Sequence, residues 1–360
     1  MRFPFVMDCG LYTTSYQEDM AILFAPGAKV KVAGITAFFL LFPHLMNGLL
    51  GDSGLYYVSV LNLIAVAVIG ALGLNILTGF TGQISIGHGA FMGVGAYTVG
   101  VLTTKLGLSY WLALPLAGVT AAVVGAFFGI PSLRLKGLYL AIATLAAQVI
   151  IEYTIIHCPS LTGGSAGIVL QIPSLGSVSL ASDTAFYYFV LIVVIVAVVS
   201  TLNLFRTRVG RAFMAVRDRD IAAAVMGINL LKYKVMAFGL SAFYAGIAGA
   251  LLVTYNRVIT PEAFTVEVSI QYLAMIIIGG LGSVMGSIYG AAFMTLLPIF
   301  LREFADFLGN YFPNVEQSLL AMETVFFGLI IILFLIFEPE GLAKLWKDIK
   351  NYFRLWPFSY

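Results

Sequence analysis

The sequence is poor in charge. Asp, Glu, Lys and Arg together make 10% of its 360 residues, where a soluble domain carries about 25%. With 61% hydrophobic residues and a mean hydropathy of +1.00, the chain cannot cover itself with a soluble surface. It reads as an all-α, polytopic membrane helical bundle. Cysteine is scarce as well: Cys9 and Cys158 are too few and too far apart for a disulfide framework or a metal site. No G-x-x-x-x-G-K-[ST] loop and no H-E-x-x-H motif occurs, so the chain has no recognisable ATP site or zinc-hydrolase site of its own. Acidic groups within apolar runs are few. Glu323 is the clearest and Glu152 stands near a run's end, whereas an ion-coupled carrier needs buried carboxylates as a relay. No cofactor, metal or nucleic-acid partner is expected.

What is there is apolar length. A span takes about 20 mostly apolar residues, and candidates lie at 32–51, 56–78, 84–104, 110–131, 137–157, 185–205, 234–256 and 319–337. A further run, 268–301, is interrupted by Gly279–Ser283 (GGLGS). Residues 1–31 lack the basic start, single apolar core and cleavage site of a removed signal. They are expected to form a short cytoplasmic segment, with the first span acting as the insertion signal.

Basic residues mark cytoplasmic loops. Lys29 and Lys31 precede the first span, Arg134 and Lys136 separate the fourth from the fifth, and seven Lys or Arg crowd residues 206–234. Lys344, Lys347, Lys350 and Arg354 follow the last span, while 158–184 holds no Lys or Arg and is placed outside. For the basic tail 338–360 also to be inside, 268–301 must cross twice or turn back, with its bend at GGLGS. The total is then about ten spans in a transmembrane region 32–337, and two five-span halves permit an inverted repeat. A multi-pass inner-membrane protein with both termini cytoplasmic is expected.

Two glycine clusters stand out. Gly82–Tyr97 (GQISIGHGAFMGVGAY) holds five glycines with Gln83, Ser85 and His88. Gly279–Ala291 (GGLGSVMGSIYGA) holds Gly279, Gly280, Gly282 and Ser283. Each contains a GxxxG pair, Gly89/Gly93 and Gly286/Gly290, which close helix packing alone explains. Packing does not explain Gln83, Ser85 and His88, since polar groups at membrane depth are costly unless a cavity or partner meets them. Broken helices are tolerated where they line such a cavity. Gly82, Gln83, Ser85, Gly87, His88, Gly279, Gly280, Gly282 and Ser283 are therefore candidate substrate-path residues.

The loop Thr162–Ile168 (TGGSAGI) reads either as an ordinary turn or, through Thr162, Gly163, Gly164 and Ser165, as an outer-face contact for solute or a delivering protein. In Gly210–Val235 (GRAFMAVRDRDIAAAVMGINLLKYKV), Arg211, Arg217 and Arg219 alternate with Asp218 and Asp220. A helical reading puts Phe213, Val216, Ile221 and Val225 near one face. A solvated positive-inside loop accounts for the arginines but not for an apolar face outside the membrane, which wants a partner groove.

These stretches, in order and together with the Glu338–Leu342 turn (EPEGL), resemble the permease subunits of branched-chain amino acid ABC importers, and more closely their M-type permease. The resemblance is collinear over most of the chain. It implies pairing with a second, related permease, docking of two ATP-binding subunits that hold the ATP, delivery by a periplasmic binding protein, and contact with membrane lipid. It also implies that 206–233 is the coupling loop, with Arg211, Arg217, Asp218 and Gly227 as its carried-over positions. Ala222–Ala224 lacks the glutamate of the family's E-A-A…G pattern, while Gly227 keeps the glycine. Urea or short-amide permeases share these gross motifs. An ion-coupled carrier and a passive channel stand as the readings that need no ATPase.

Overall fold

The computed structural model describes residues 26–51, 53–133, 135, 137–171, 173–175, 178–309, 323–338 and 340–355. The N-terminal segment up to residue 25, Arg134, Lys136, the start of the last expected span and the end of the tail lie outside them. The helices are α1 (Pro26–Leu50), α2 (Ser53–Thr81), α3 (His88–Thr104), α4 (Tyr110–Gly129), α5 (Leu138–His157), α6 (Asp183–Arg206), α7 (Arg208–Asp218), α8 (Asp220–Val225), α9 (Leu230–Asn256), α10 (Val266–Gly279), α11 (Val284–Gly309), α12 (Glu323–Phe337) and α13 (Leu342–Leu355). Short strands β1 (Ile168–Val169), β2 (Ser174–Leu175), β3 (Val178–Ser179) and β4 (Val258–Ile259) decorate the loops.

Eight stretches among the described residues are helical, long and apolar enough to cross a membrane: Val32–Leu49, Gly54–Thr81, Tyr110–Gly129, Leu138–His157, Asp183–Arg206, Leu230–Asn256, Pro261–Gly279 and Val284–Phe304. The chain is a multi-pass helical membrane protein. The expected third span begins late, at His88, because residues 82–87 are not helical. The interrupted run 268–301 is a helical hairpin, α10 and α11 folding back on each other about GGLGS.

The chain divides into two compact units. In the smaller, formed by residues 1–61 and 347–360, α1 leaves Ile35, Phe38, Leu41 and Leu49 exposed, as a helix apolar on all sides does when lipid is its solvent.

The larger unit, Asn62–Trp346, holds the core. Here α9 packs on both α3 and α4, and the reason is residue size. A Cβ on Gly249 would stand 2.0 Å from the Met92 carbonyl oxygen, and one on Gly95 would stand 2.2 Å from that of Gly246. In lipid, association rests on such close van der Waals contact, because burial brings helices no gain over apolar tails. The same device closes the α10–α11 hairpin: a Cβ on Gly290 would stand 1.8 Å from the Met275 carbonyl oxygen. Thus Gly286 and Gly290 serve packing. At the other GxxxG pair, Gly89 and Gly93 face the Phe264–Thr265 segment.

Candidate functional site

The first interruption starts where α2 ends. Gly82 takes φ +69°, its N–H donates to the Thr78 carbonyl (3.2 Å), and the Gln83 N–H donates to that of Leu77 (3.1 Å). This paired closure of a helix end needs a left-handed residue, which only glycine adopts without strain. Five residues on, α3 begins inside the bundle with its first amides turned toward protein rather than water. Each buried amide left unpaired costs about 1–3 kcal/mol, so partners must come from neighbouring helices. Ser269 Oγ on α10 accepts from Gly89 N (2.8 Å), and Gln148 Oε1 on α5 accepts from Ala90 N (2.6 Å). Gln148 Nε2 donates to the Phe264 carbonyl (2.6 Å), and Ser269 Oγ donates to Gln148 Oε1 (3.1 Å). Thr144 Oγ1 accepts from Ile86 N (2.9 Å) and Ser85 Oγ from Gly87 N (3.3 Å).

The expected path residues Gly82, Gln83, Ser85, Gly87 and His88 thus lie along one interruption. Gln83, Ser85 and His88 are each buried. The His88 ring meets Tyr272 at 5.2 Å between centroids and bonds the Gly70 backbone. Its Nε2, like both amide atoms of Gln83, has no hydrogen-bond partner among the described residues.

The second interruption lies beside the first. Gly280 and Gly282 have φ +117° and +75°, and Asn75, wholly buried in α2, holds the bend. Asn75 Oδ1 accepts from Gly282 N (2.9 Å), while its Nδ2 donates to the Ser283 carbonyl (2.8 Å) and to Ser287 Oγ (2.7 Å). Sequence reasoning passed over Asn75, Gln148 and Ser269. Asn75 and Gln148 share one signal, a lone polar residue within a long apolar run, whereas Ser269 sits between Glu267 and Gln271 and carries none.

The basic segment 206–233 meets both interruptions. Thr207 caps α7, its Oγ1 accepting from Gly210 N. The helix turns Phe213 and Val216 inward, where both are buried. Arg217 Nη1 donates to the Gly79 carbonyl (2.8 Å), an orphan acceptor in the last turn of α2. The same side chain lies over Gly82, and its Nη1 would stand 2.5 Å from a Cβ on Gly282. One guanidinium therefore touches the α2 end and the α10–α11 bend. Arg211 Nη1 donates to the Arg206 carbonyl at the end of α6 (3.2 Å). Asp218 is exposed.

The single apolar face expected for Phe213, Val216, Ile221 and Val225 does not exist. Arg219 is extended (φ −155°, ψ 99°) and separates α7 from α8. As a result Phe213 and Val216 point into the bundle, while Ile221, Val225 and Met226 are 73%, 82% and 83% exposed. Gly227, at φ +85°, ends α8. A cleft of about 260 Å³ lies between the segment and the first interruption, lined by Gln83, Arg217, Asp218, Asp220 and Lys234 among others. The buried Lys234 stands 3.7 Å from Asp220.

Thr162, Gly163, Gly164 and Ser165 lie elsewhere. Lys105, just past the C-terminal end of α3, donates to the Ser160 carbonyl. The 17 residues of α3, at 1.5 Å each, therefore hold this loop about 25 Å from the first interruption. Thr162 Oγ1 lies 2.6 Å from the Ile155 carbonyl and Ser165 is exposed. The loop runs into β1, which pairs antiparallel with β4 after α9.

A bundle of membrane-length helices, two of its turns bound to a charged segment outside the apolar runs, defines a multi-pass helical membrane protein. The chain belongs to the family described as the permease component of the branched-chain amino acid transport system, whose model matches residues 56–335. It is similar to the high-affinity branched-chain amino acid transport system permease protein LivM of Escherichia coli K12, at 32% identity over 80% of this chain and 70% of that one. The Salmonella typhimurium LivM is 31% identical over the same shares. A probable branched-chain amino acid transport permease LivH of Methanocaldococcus jannaschii is 26% identical over 78% of this chain and 90% of its own. No solved structure gives a significant match.

Proposed function

We propose that this chain is a permease subunit of an ATP-driven importer, forming the path for branched-chain or related amino acids across an inner membrane. It pairs with a second, related permease, and two ATP-binding subunits hold the nucleotide and supply the energy. A periplasmic protein delivers the substrate to the TGGSAGI side, and both termini face the cytoplasm. The observation that carries the reading is Arg217. It stands on a segment whose neighbouring α8 offers exposed Ile221, Val225 and Met226 to a partner, and it grips the ends of both interrupted elements. A force applied to α8 thereby reaches the helix ends at Gly82 and Gly282. The apolar helices around the interruptions suit an aliphatic side chain, and the amide of Gln83 and Nε2 of His88, unpartnered among the described residues, suit a carboxylate or an ammonium.

Proteoliposomes test the whole reading. Leucine uptake should require ATP, the ATP-binding subunits, the second permease and the binding protein together. Uptake by this chain alone on an ion gradient would overturn it, and competition by urea or acetamide but not by leucine would reassign the substrate.

A further inference from the structure

The segment after the last apolar helix carries a pattern that transport of a solute does not require. α13 reads LAKLWKDIKNYFRL. At 100° per residue, Leu342, Leu345, Trp346, Ile349 and Tyr352 fall within one arc, and Lys344, Lys347 and Asp348 fall outside it. Trp346, Ile349 and Tyr352 are exposed by 58%, 41% and 63%. In sequence the helix holds Lys344, Lys347, Lys350 and Arg354 against a single acid, Asp348. A helix with a strong apolar arc, low overall hydrophobicity and a basic opposite side is the form that lies in the plane of a membrane interface.

Position strengthens the case. Only residues 338–341 separate α13 from α12, a reach of under about 18 Å even when fully extended. The start of α13 therefore stays close to the end of an apolar helix. It is also pinned. A Cβ on Gly341 would stand 2.6 Å from Gly280 N, and one on Gly280 would stand 3.1 Å from the Glu340 carbonyl oxygen. Leu342 packs on the core, and Glu340 pairs with Lys344 across the first turn.

We infer that α13 is an interfacial helix that seats Trp346, Ile349 and Tyr352 among acyl chains and sets its basic side against anionic phospholipid headgroups. Charge complementarity selects the anionic lipid, since a basic segment beside a span is drawn to such a surface. The Gly341–Gly280 contact ties the start of this helix to the bend that Asn75 and Arg217 hold.

Trp346 supplies the probe. The chain has three tryptophans, and replacing the other two (Trp111→Phe, Trp356→Phe) leaves Trp346 alone. The full chain is reconstituted into bilayers of phosphatidylcholine, with or without phosphatidylglycerol, with bromine on the acyl chains. Strong quenching of Trp346 is expected with phosphatidylglycerol, falling several-fold without it and in the charge-reversed variant K347E/K350E/R354E. An unchanged elution volume and helical content in that variant would exclude misfolding. Equal quenching in both lipids would overturn the headgroup preference. Absence of quenching in both, or shielding of Trp346 in detergent by the ATP-binding subunits, would overturn lipid as the occupant. The measurement reads lipid contact only, so failure of the importer reading in proteoliposomes would leave it standing.

Discussion

Arg217 concentrates at one residue what the segment does. A charge-assisted hydrogen bond contributes about 1.5–3 kcal/mol, and this one satisfies a helix-end carbonyl while the side chain fills the notch between Gly82 and Gly282. Arg217→Glu is expected to lower ATP-driven uptake at least tenfold with normal membrane insertion. Arg217→Lys should be intermediate, since an ammonium reaches one acceptor but lacks the planar fork. Wild-type uptake in the glutamate variant would reduce the residue to a topology marker. Gln148 bears on stability instead. Gln148→Leu leaves the Ala90 N–H and the Phe264 carbonyl unpaired, at about 1–3 kcal/mol each. A markedly lower melting temperature in detergent is expected, and an unchanged one would show that other groups or water replace it.

Among the elements, the interruptions and the basic segment 206–233 were legible to different depths. The glycines of Gly82–Tyr97 and the GGLGS bend announced themselves, because local backbone conformation depends on the residues in place. The break at Arg219 did not: nothing in RDRD forbids a continuous helix. Tertiary burial of Phe213 and Val216 separates them from Ile221 and Val225. That separation has a consequence for mutation. Ile221→Asp with Met226→Asp is expected to abolish ATP-dependent uptake and co-purification of the ATP-binding subunits, while the melting temperature stays within a few degrees because both side chains are exposed. Retained co-purification would place the docking surface elsewhere. Gly87→Leu acts inside the fold, where its Cβ would stand 2.7 Å from the Thr144 carbonyl oxygen. Lost uptake is expected with insertion preserved, and normal uptake would remove this turn from the moving machinery.

At the scale of the whole molecule, the membrane class and the turn-back at 268–301 follow from composition and from parity of charge. The links that make one site from distant segments do not. Asn75 and Ser283 are 208 residues apart in the chain, and β1 finds β4 across some 90 residues (Ile168 to Ile259). A single buried Asn or a two-residue strand carries no periodicity for a reader of sequence to detect. The resemblance to a known family singled out residues 206–233 but not the bond from Arg217 to the Gly79 carbonyl.

Asn75 ties helix α2 to the second interruption by three hydrogen bonds. At about 1 kcal/mol each, parting that bend from α2 costs about 3 kcal/mol, a population penalty of roughly 150-fold. On the proposed transport reading, Asn75 is a latch between α2 and the bend, and states with the bend parted from α2 are rare. Asn75→Ala should accordingly raise passive leucine efflux from loaded proteoliposomes in the absence of ATP, with a smaller effect on driven uptake. A variant as tight as the parent would show that the bend is held to α2 by packing alone.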